Sequence, residues 1–117
     1  MGKLTTHILD TAAGKPGQGI RIDLFAISAG DHVHLKTVVT NDDGRCDAPL
    51  LEGVELKAGQ YELVFYAGEY FEKSGVVAAG PRFLDDIVLR FGVSNADEHY
   101  HVPLLVSPYS YSTYRGS

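Results

Sequence analysis

The chain carries five histidines, His7, His32, His34, His99 and His101. A neutral imidazole can take a proton near pH 7 and can also ligate a metal. His32/His34 and His99/His101 are each spaced i, i+2, which on a strand sends both rings of a pair to one side. Two such pairs could hold zinc, although no cysteine pair or third-ligand spacing accompanies them. Cys46 directly follows Arg45, and a neighbouring guanidinium can lower a thiol's pKa and make it a nucleophile. No Gly-x-Ser-x-Gly elbow is present, which weakens a serine-nucleophile reading. A third arrangement needs neither metal nor covalent intermediate. It is a metal-free site of histidine and arginine, for which His7 and His101 are the histidines to place. His7 lies on the face opposite Ile8 and His101 on the face opposite Val102. If their strands adjoin, both rings look away from the core. An ordinary solvated sheet face can carry outward histidines too.

Those residues must be positioned by strands. Leu4 to Asp10 alternates, with Leu4, Thr6 and Ile8 on one face and Thr5, His7 and Leu9 on the other. Thr11 to Gly19, rich in glycine and holding Pro16, reads as a loop. Ile20, Ile22, Leu24 and Ala26 mark a second strand, and His32 to Thr40 a third with Val33, Leu35, Thr37 and Val39 on one face. Asn41-Asp42-Asp43-Gly44 is a strong turn signal, so Arg45 falls at a strand edge beside a sharp turn. Ala48 to Lys57 is irregular, Gln60 to Ala67 a strand, Glu69 to Lys73 a single helical turn, and Ala78 to Pro81 a loop. Ile87, Leu89, Phe91 and Val93 form another strand. Tyr100, Val102, Leu104 and Val106 alternate with His99, His101, Pro103 and Leu105. Ser107-Pro108 turns the chain into a last strand from Tyr109 to Thr113. Seven or eight short strands, with turn signals about every ten residues and no sustained helical period, predict an all-β antiparallel sandwich.

Composition narrows the partners. The 117 residues are expected to form one domain, residues 1–117. A formal charge of −5 argues against nucleic acid, which demands a basic face. No stretch approaches the length of a membrane span, and the N-terminus lacks the apolar run of a signal peptide. Cys46 is the one cysteine, so no internal disulfide can form and the cytoplasm is the expected compartment.

Longer motifs bring a resemblance. Leu4-Thr5-Thr6-His7-Ile8-Leu9-Asp10-Thr11 with Gly14-Lys15-Pro16, then Asn41-Asp42-Asp43-Gly44-Arg45, then His99-Tyr100-His101-Val102-Pro103-Leu104-Leu105, and the closing Tyr111-Ser112-Thr113-Tyr114-Arg115-Gly116-Ser117 resemble the transthyretin-like 5-hydroxyisourate hydrolases. The terminal Tyr-Arg-Gly-Ser is the most specific of these. The resemblance implies a transthyretin-like (prealbumin-like) sandwich of two four-stranded sheets with one short helix. It implies a homotetramer, a dimer of dimers with a channel between the dimers. The implied reaction opens the cyclic amide of 5-hydroxyisourate to give 2-oxo-4-hydroxy-4-carboxy-5-ureidoimidazoline in urate degradation, with no cofactor and no metal. The implied catalytic residues are His7, Arg45 and His101, and the implied substrate-binding residues are Tyr114, Arg115, Gly116 and Ser117. Both histidines remain eligible to act on the water. The alternative is a transthyretin-like small-ligand carrier without catalysis.

Overall fold

The computed structural model describes residues 1–77 and 80–116. Ala78 and Ala79, the first half of the expected 78–81 loop, and Ser117 lie outside the described residues. The strands are β1 (Lys3–Asp10), β2 (Lys15–Pro16), β3 (Arg21–Ser28), β4 (Asp31–Val39), β5 (Leu51–Glu52), β6 (Gly59–Phe65), β7 (Ile87–Val93), β8 (Tyr100–Val106) and β9 (Tyr111–Thr113). A 3-10 turn covers Gly53–Glu55, and a short helix α1 covers Ala67–Lys73. Among the described residues no helix is long and apolar enough to cross a membrane.

Two sheets stack. One has the order β2-β1-β8-β9, with β5 also pairing β1, and the other has the order β4-β3-β6-β7. The expected sandwich therefore forms, with the first sheet counting five strands because the two-residue β5 joins it. Its central pair is not antiparallel. β1 and β8 run parallel, in the register Leu4↔Tyr100, Thr5↔His101, His7↔Pro103 and Leu9↔Leu105. Nearly the whole chain separates these two strands, so no hairpin constrains their direction.

The alternation of β1 and β8 decides which side chains are buried. Leu4, Ile8 and Leu104 are fully buried, Val106 is 1% exposed and Thr6 is 3% exposed. They meet Ile22, Leu24, Leu63, Phe65 and Ile87 from the other sheet in one core. Burying each such aliphatic side chain contributes roughly 1.5–3 kcal/mol. The polar Thr6 is accommodated because its hydroxyl donates to the Val102 carbonyl at 2.7 Å. Asp10 is also buried, and its carboxylate accepts the Ala12 and Ala13 amides, each at 3.0 Å, and the Tyr70 hydroxyl at 2.8 Å. That carboxylate ties the end of β1 to α1. Burial, with the Asp10 hydrogen bond second, pushes the Tyr70 phenol up to about 12.

One strand departs from simple alternation. The β3–β4 register shifts between Leu24 and Phe25, so Leu24 faces Lys36 while Phe25 faces His34. Leu35 is the extra residue, and it flips the faces beyond it. Val33 pairs with core-facing Ala26, whereas Thr37 pairs with outward Asp23. Val33 and Thr37 thus do not share a face. His32 and His34 flank Phe25 on the outside of this sheet, with ring centroids 5.9 and 5.4 Å from it.

Candidate active site on the outer face of the first sheet

The site is built on the outward residues of β1 and β8. Thr5, His7 and Leu9 are set beside His101, Pro103 and Leu105 by the parallel register. The other edge of β1 is covered by three separate pieces. β5 pairs its first two residues and β2 its last two. Between them, Arg45 makes an isolated antiparallel bridge to His7. Arg45 is thereby fixed on one side of β1 and His101 on the other, with Thr5 and His7 between them.

The turn before Arg45 explains why it lands there. The Asn41 side-chain oxygen accepts the Asp43 amide at 2.9 Å and the Arg45 amide at 3.1 Å. The Asn41 amide donates to the Arg45 carbonyl at 2.8 Å, closing the turn. Gly44 has φ +75°, and a Cβ there would lie 2.4 Å from the Ile8 carbonyl oxygen. Only glycine satisfies both the left-handed backbone and that approach. In return, the Ile8 amide donates to the Gly44 carbonyl at 2.8 Å. His7 Nε2 lies 2.9 Å from the Asp43 carbonyl. A carbonyl can only accept, so Nε2 carries the proton and Nδ1 is the free acceptor of a neutral His7.

His101 is held on several sides. Thr5 Oγ1 is 2.8 Å from its Nδ1. The chain end returns antiparallel along it, and the Gly116 amide donates to the His101 carbonyl at 2.7 Å. A Cβ on Gly116 would sit 2.9 Å from His101 Cδ2 and 3.1 Å from its Cβ. Glycine is needed here for closeness to the imidazole, not for its dihedral freedom. Burial lowers the His101 pKa, and the charge of Arg45 lowers it further, as does His7 whenever it is protonated. This favours the neutral form of His101, while the backbone pairings set Arg45 beside His7 and His101 beside Thr5 on the same outer face. A cleft of about 200 Å3 opens beside Arg45 and Thr5, lined also by Thr6, Cys46 and Asp47; neither His7 nor His101 lines it.

The rest of the terminal segment turns another way. The Arg115 guanidinium donates to Glu98 at 2.8 Å and to the His99 carbonyl at 3.1 Å, and lies 4.2 Å over the Tyr100 ring. Tyr114 and Arg115 border a larger cleft of about 440 Å3 between the β7 and β9 flanks of the two sheets. Within one chain, then, Gly116 is brought to His101 while Tyr114 and Arg115 face this adjoining cleft.

Two other arrangements do not assemble. His32 and His34 are on the second sheet, beside Glu62 at 3.1 Å and Asp23 at 3.3 Å, so they do not join the His99/His101 pair. Among the described residues no group of three His, Cys, Asp or Glu side chains is arranged to hold a metal. Cys46 is not activated by Arg45. It packs against the core, and burial followed by Asp47 pushes its thiol pKa up. In the sequence Thr5 and Asn41 are visible as a strand position and a turn residue, but their side-chain roles at the site are not. Thr5 shares an outward face with His7, but its role depends on a register that one sequence does not display.

The HIUase/Transthyretin family model matches residues 4–116. The chain belongs to the HIUase/Transthyretin family. Within it, the chain is 62% identical over 117 residues to a 5-hydroxyisourate hydrolase of Ralstonia nicotianae, covering all of both chains. It is 56% identical to the 5-hydroxyisourate hydrolase of Pseudomonas aeruginosa, covering all of this chain and 93% of that one. Among solved structures, Klebsiella pneumoniae 5-hydroxyisourate hydrolase superposes with a TM-score of 0.82 at 32% identity over the full length of both chains. A crystal structure of (S)-allantoin synthase superposes with a TM-score of 0.94 at 52% identity. The chain is covered to 99% in that match but spans 44% of the synthase chain.

Proposed function

We infer that this chain is a hydrolase that opens the cyclic amide of 5-hydroxyisourate, giving 2-oxo-4-hydroxy-4-carboxy-5-ureidoimidazoline in urate degradation. The names of its relatives favour this reading over a carrier. The observation that carries it is the placement of His7, Arg45 and His101 together on one outer sheet face.

The chemistry follows from those groups. Water oxygen attacks the amide carbonyl carbon and the ring C–N bond breaks; one water proton ends on the departing nitrogen, and the other is released to solvent as the oxygen becomes part of a carboxylate. His101 acts as the base that removes a proton from the water, since it stays neutral near pH 7 and needs no prior deprotonation. It then holds the proton that the departing nitrogen needs. Arg45 stays charged and offers its fork to the carbonyl oxygens, where it stabilises the negative charge that develops on attack, an effect of about 2–4 kcal/mol. His7, with Nε2 spent on the Asp43 carbonyl, presents Nδ1 to orient the water or substrate.

The whole chain, residues 1–117, acts as one hydrolase domain. Leu9 is exposed and Leu105 half-buried next to the site, which suits coverage by a second copy. Phe25 and Ile27 lie on the other sheet and belong to a separate surface. A homotetramer closes over the His/Arg face, and Tyr114, Arg115, Gly116 and Ser117 bind substrate where its subunits meet. The position of Gly116 against His101 supports this role for the terminal segment. We assign the enzyme to the cytoplasm, in keeping with a single, unpaired cysteine. The test is direct. 5-Hydroxyisourate is generated from urate with urate oxidase, the protein is added, and the ultraviolet absorbance of the intermediate is followed. Decay faster than the spontaneous reaction is expected, and decay at the spontaneous rate refutes the reading.

A further inference from the structure

We propose that Thr5 is a positioning residue for the reaction. Its hydroxyl accepts the Nδ1 proton of His101 and so leaves Nε2 as the atom that takes the proton from water. The inference rests on His101 being the base.

The geometry restricts the choices. Nδ1 of His101 is 2.8 Å from Thr5 Oγ1 and is therefore turned along the outer face of the sheet, toward β1. Nε2, across the ring, is the nitrogen left to meet a substrate. A hydroxyl can donate or accept. If Thr5 donated, Nδ1 would be unprotonated and Nε2 would carry the hydrogen. The free lone pair would then face Thr5, and the ring could not accept a proton from water at the open side. If Thr5 accepts, the neutral ring is protonated on Nδ1 and basic at Nε2. When Nε2 then takes a proton, the imidazolium keeps its Nδ1–H bond to Thr5. The same bond serves before and after transfer, with no side-chain rearrangement. This is the part played by any third group that orients a catalytic histidine and fixes its tautomer.

Other observations agree. Thr5 is directly opposite His101 in the parallel register, so the backbone sets the spacing of hydroxyl and ring. Gly116 closes on the ring's Cδ2 edge, which limits rotation away from Thr5. The charged and titratable groups around the ring are His7 on β1 and Arg45 on the neighbouring turn, both of which oppose its protonation. Arg115 on the returning terminus is engaged by Glu98. Among these neighbours Thr5 is the group hydrogen-bonded to Nδ1.

The test compares Thr5→Val, which keeps the side chain's shape, with Thr5→Ser, which keeps the hydroxyl. Each is assayed on 5-hydroxyisourate and examined by nitrogen NMR of 15N-histidine-labelled protein. Thr5→Val is expected to lose about 10- to 100-fold in kcat with little change in KM, the usual scale for a partner that orients a histidine. Thr5→Ser is expected to retain most of the rate. In the wild type the neutral His101 signal should report a protonated Nδ1 and a bare Nε2, and Thr5→Val should mix the tautomers. An unchanged kcat in Thr5→Val, failure of Thr5→Ser to rescue, or a wild-type ring protonated on Nε2 each overturns the proposal. His101→Ala separates this outcome from failure of the base assignment. If it loses activity while Thr5→Val does not, the base stands and the positioning role falls.

Discussion

Gly116→Ala tests how tightly the chain terminus holds the site. Nothing in the backbone of Gly116 requires glycine, because its φ lies outside the left-handed range. An added methyl therefore acts through space alone. It would lie 2.9 Å from His101 Cδ2, 3.1 Å from Cβ and 3.3 Å from Cγ. Carbon atoms settle at about 3.5–4.0 Å, so the ring or the terminal segment must yield by roughly 0.6–1 Å. Rotating the imidazole relieves the contact with Cδ2 but not the one with Cβ, which is fixed to β8. The terminal segment must then move as well, straining the 2.7 Å bond from the Gly116 amide to the His101 carbonyl. A displacement of ~1 Å at a reacting group can cost about 10²-fold. We expect kcat to fall by between about tenfold and a hundredfold. Stability should change by less than ~1 kcal/mol, because a chain end can shift without opening the core. That corresponds to a Tm change within about 4 °C. The coupled ultraviolet assay and a thermal melt on one preparation suffice. Full activity in Gly116→Ala would refute the packing argument, and a loss of many degrees in Tm would show that the terminus is a structural staple.

Three further outcomes follow from the same geometry. Asn41→Ala removes the acceptor for the Asp43 and Arg45 amides, so the turn should loosen, costing about 1–2 kcal/mol, and kcat should fall because Arg45 loses its fixed place. A thermal melt and the kinetic assay check both parts. His101 has a pKa below 6.5, from burial first and then from Arg45 and His7. A base is lost on protonation, so the acid limb of kcat/KM should lie below pH 6.5, and a limb above that value contradicts the assignment. Light scattering at micromolar concentration should find a tetramer, whereas a fully active monomer would remove the argument from Leu9 and Leu105.

Much of this was legible in sequence because two-residue periodicity states which side of a strand is buried. Leu4, Thr6 and Ile8 did go inward and His7 outward, as did Val102 and His101 on β8. The Asn41–Gly44 turn was visible because its residue types tolerate the required backbone. Less local features were not. The parallel pairing of β1 with β8 depends on contacts 96 residues apart, as in Thr5 with His101. The bulge at Leu35 depends on how β3 and β4 settle against each other, and it undid the expected shared face of Val33 and Thr37. β2 and β5, each two residues long, carry no periodicity and exist because the edge of β1 offers amides and carbonyls to pair. The terminal tetrapeptide stands out through the family resemblance, but the reason for its glycine lies in the approach to the imidazole.

The central claim is that His7, Arg45 and His101 perform the chemistry from the outer face of a sheet and contribute little to the core beneath it. Alanine at each position, measured in the urate-oxidase-coupled assay beside circular dichroism, tests it most directly. Each variant is expected to keep the wild-type spectrum and to lose about 10²-fold or more in turnover. A folded variant at any of the three positions that retains the full rate would contradict it.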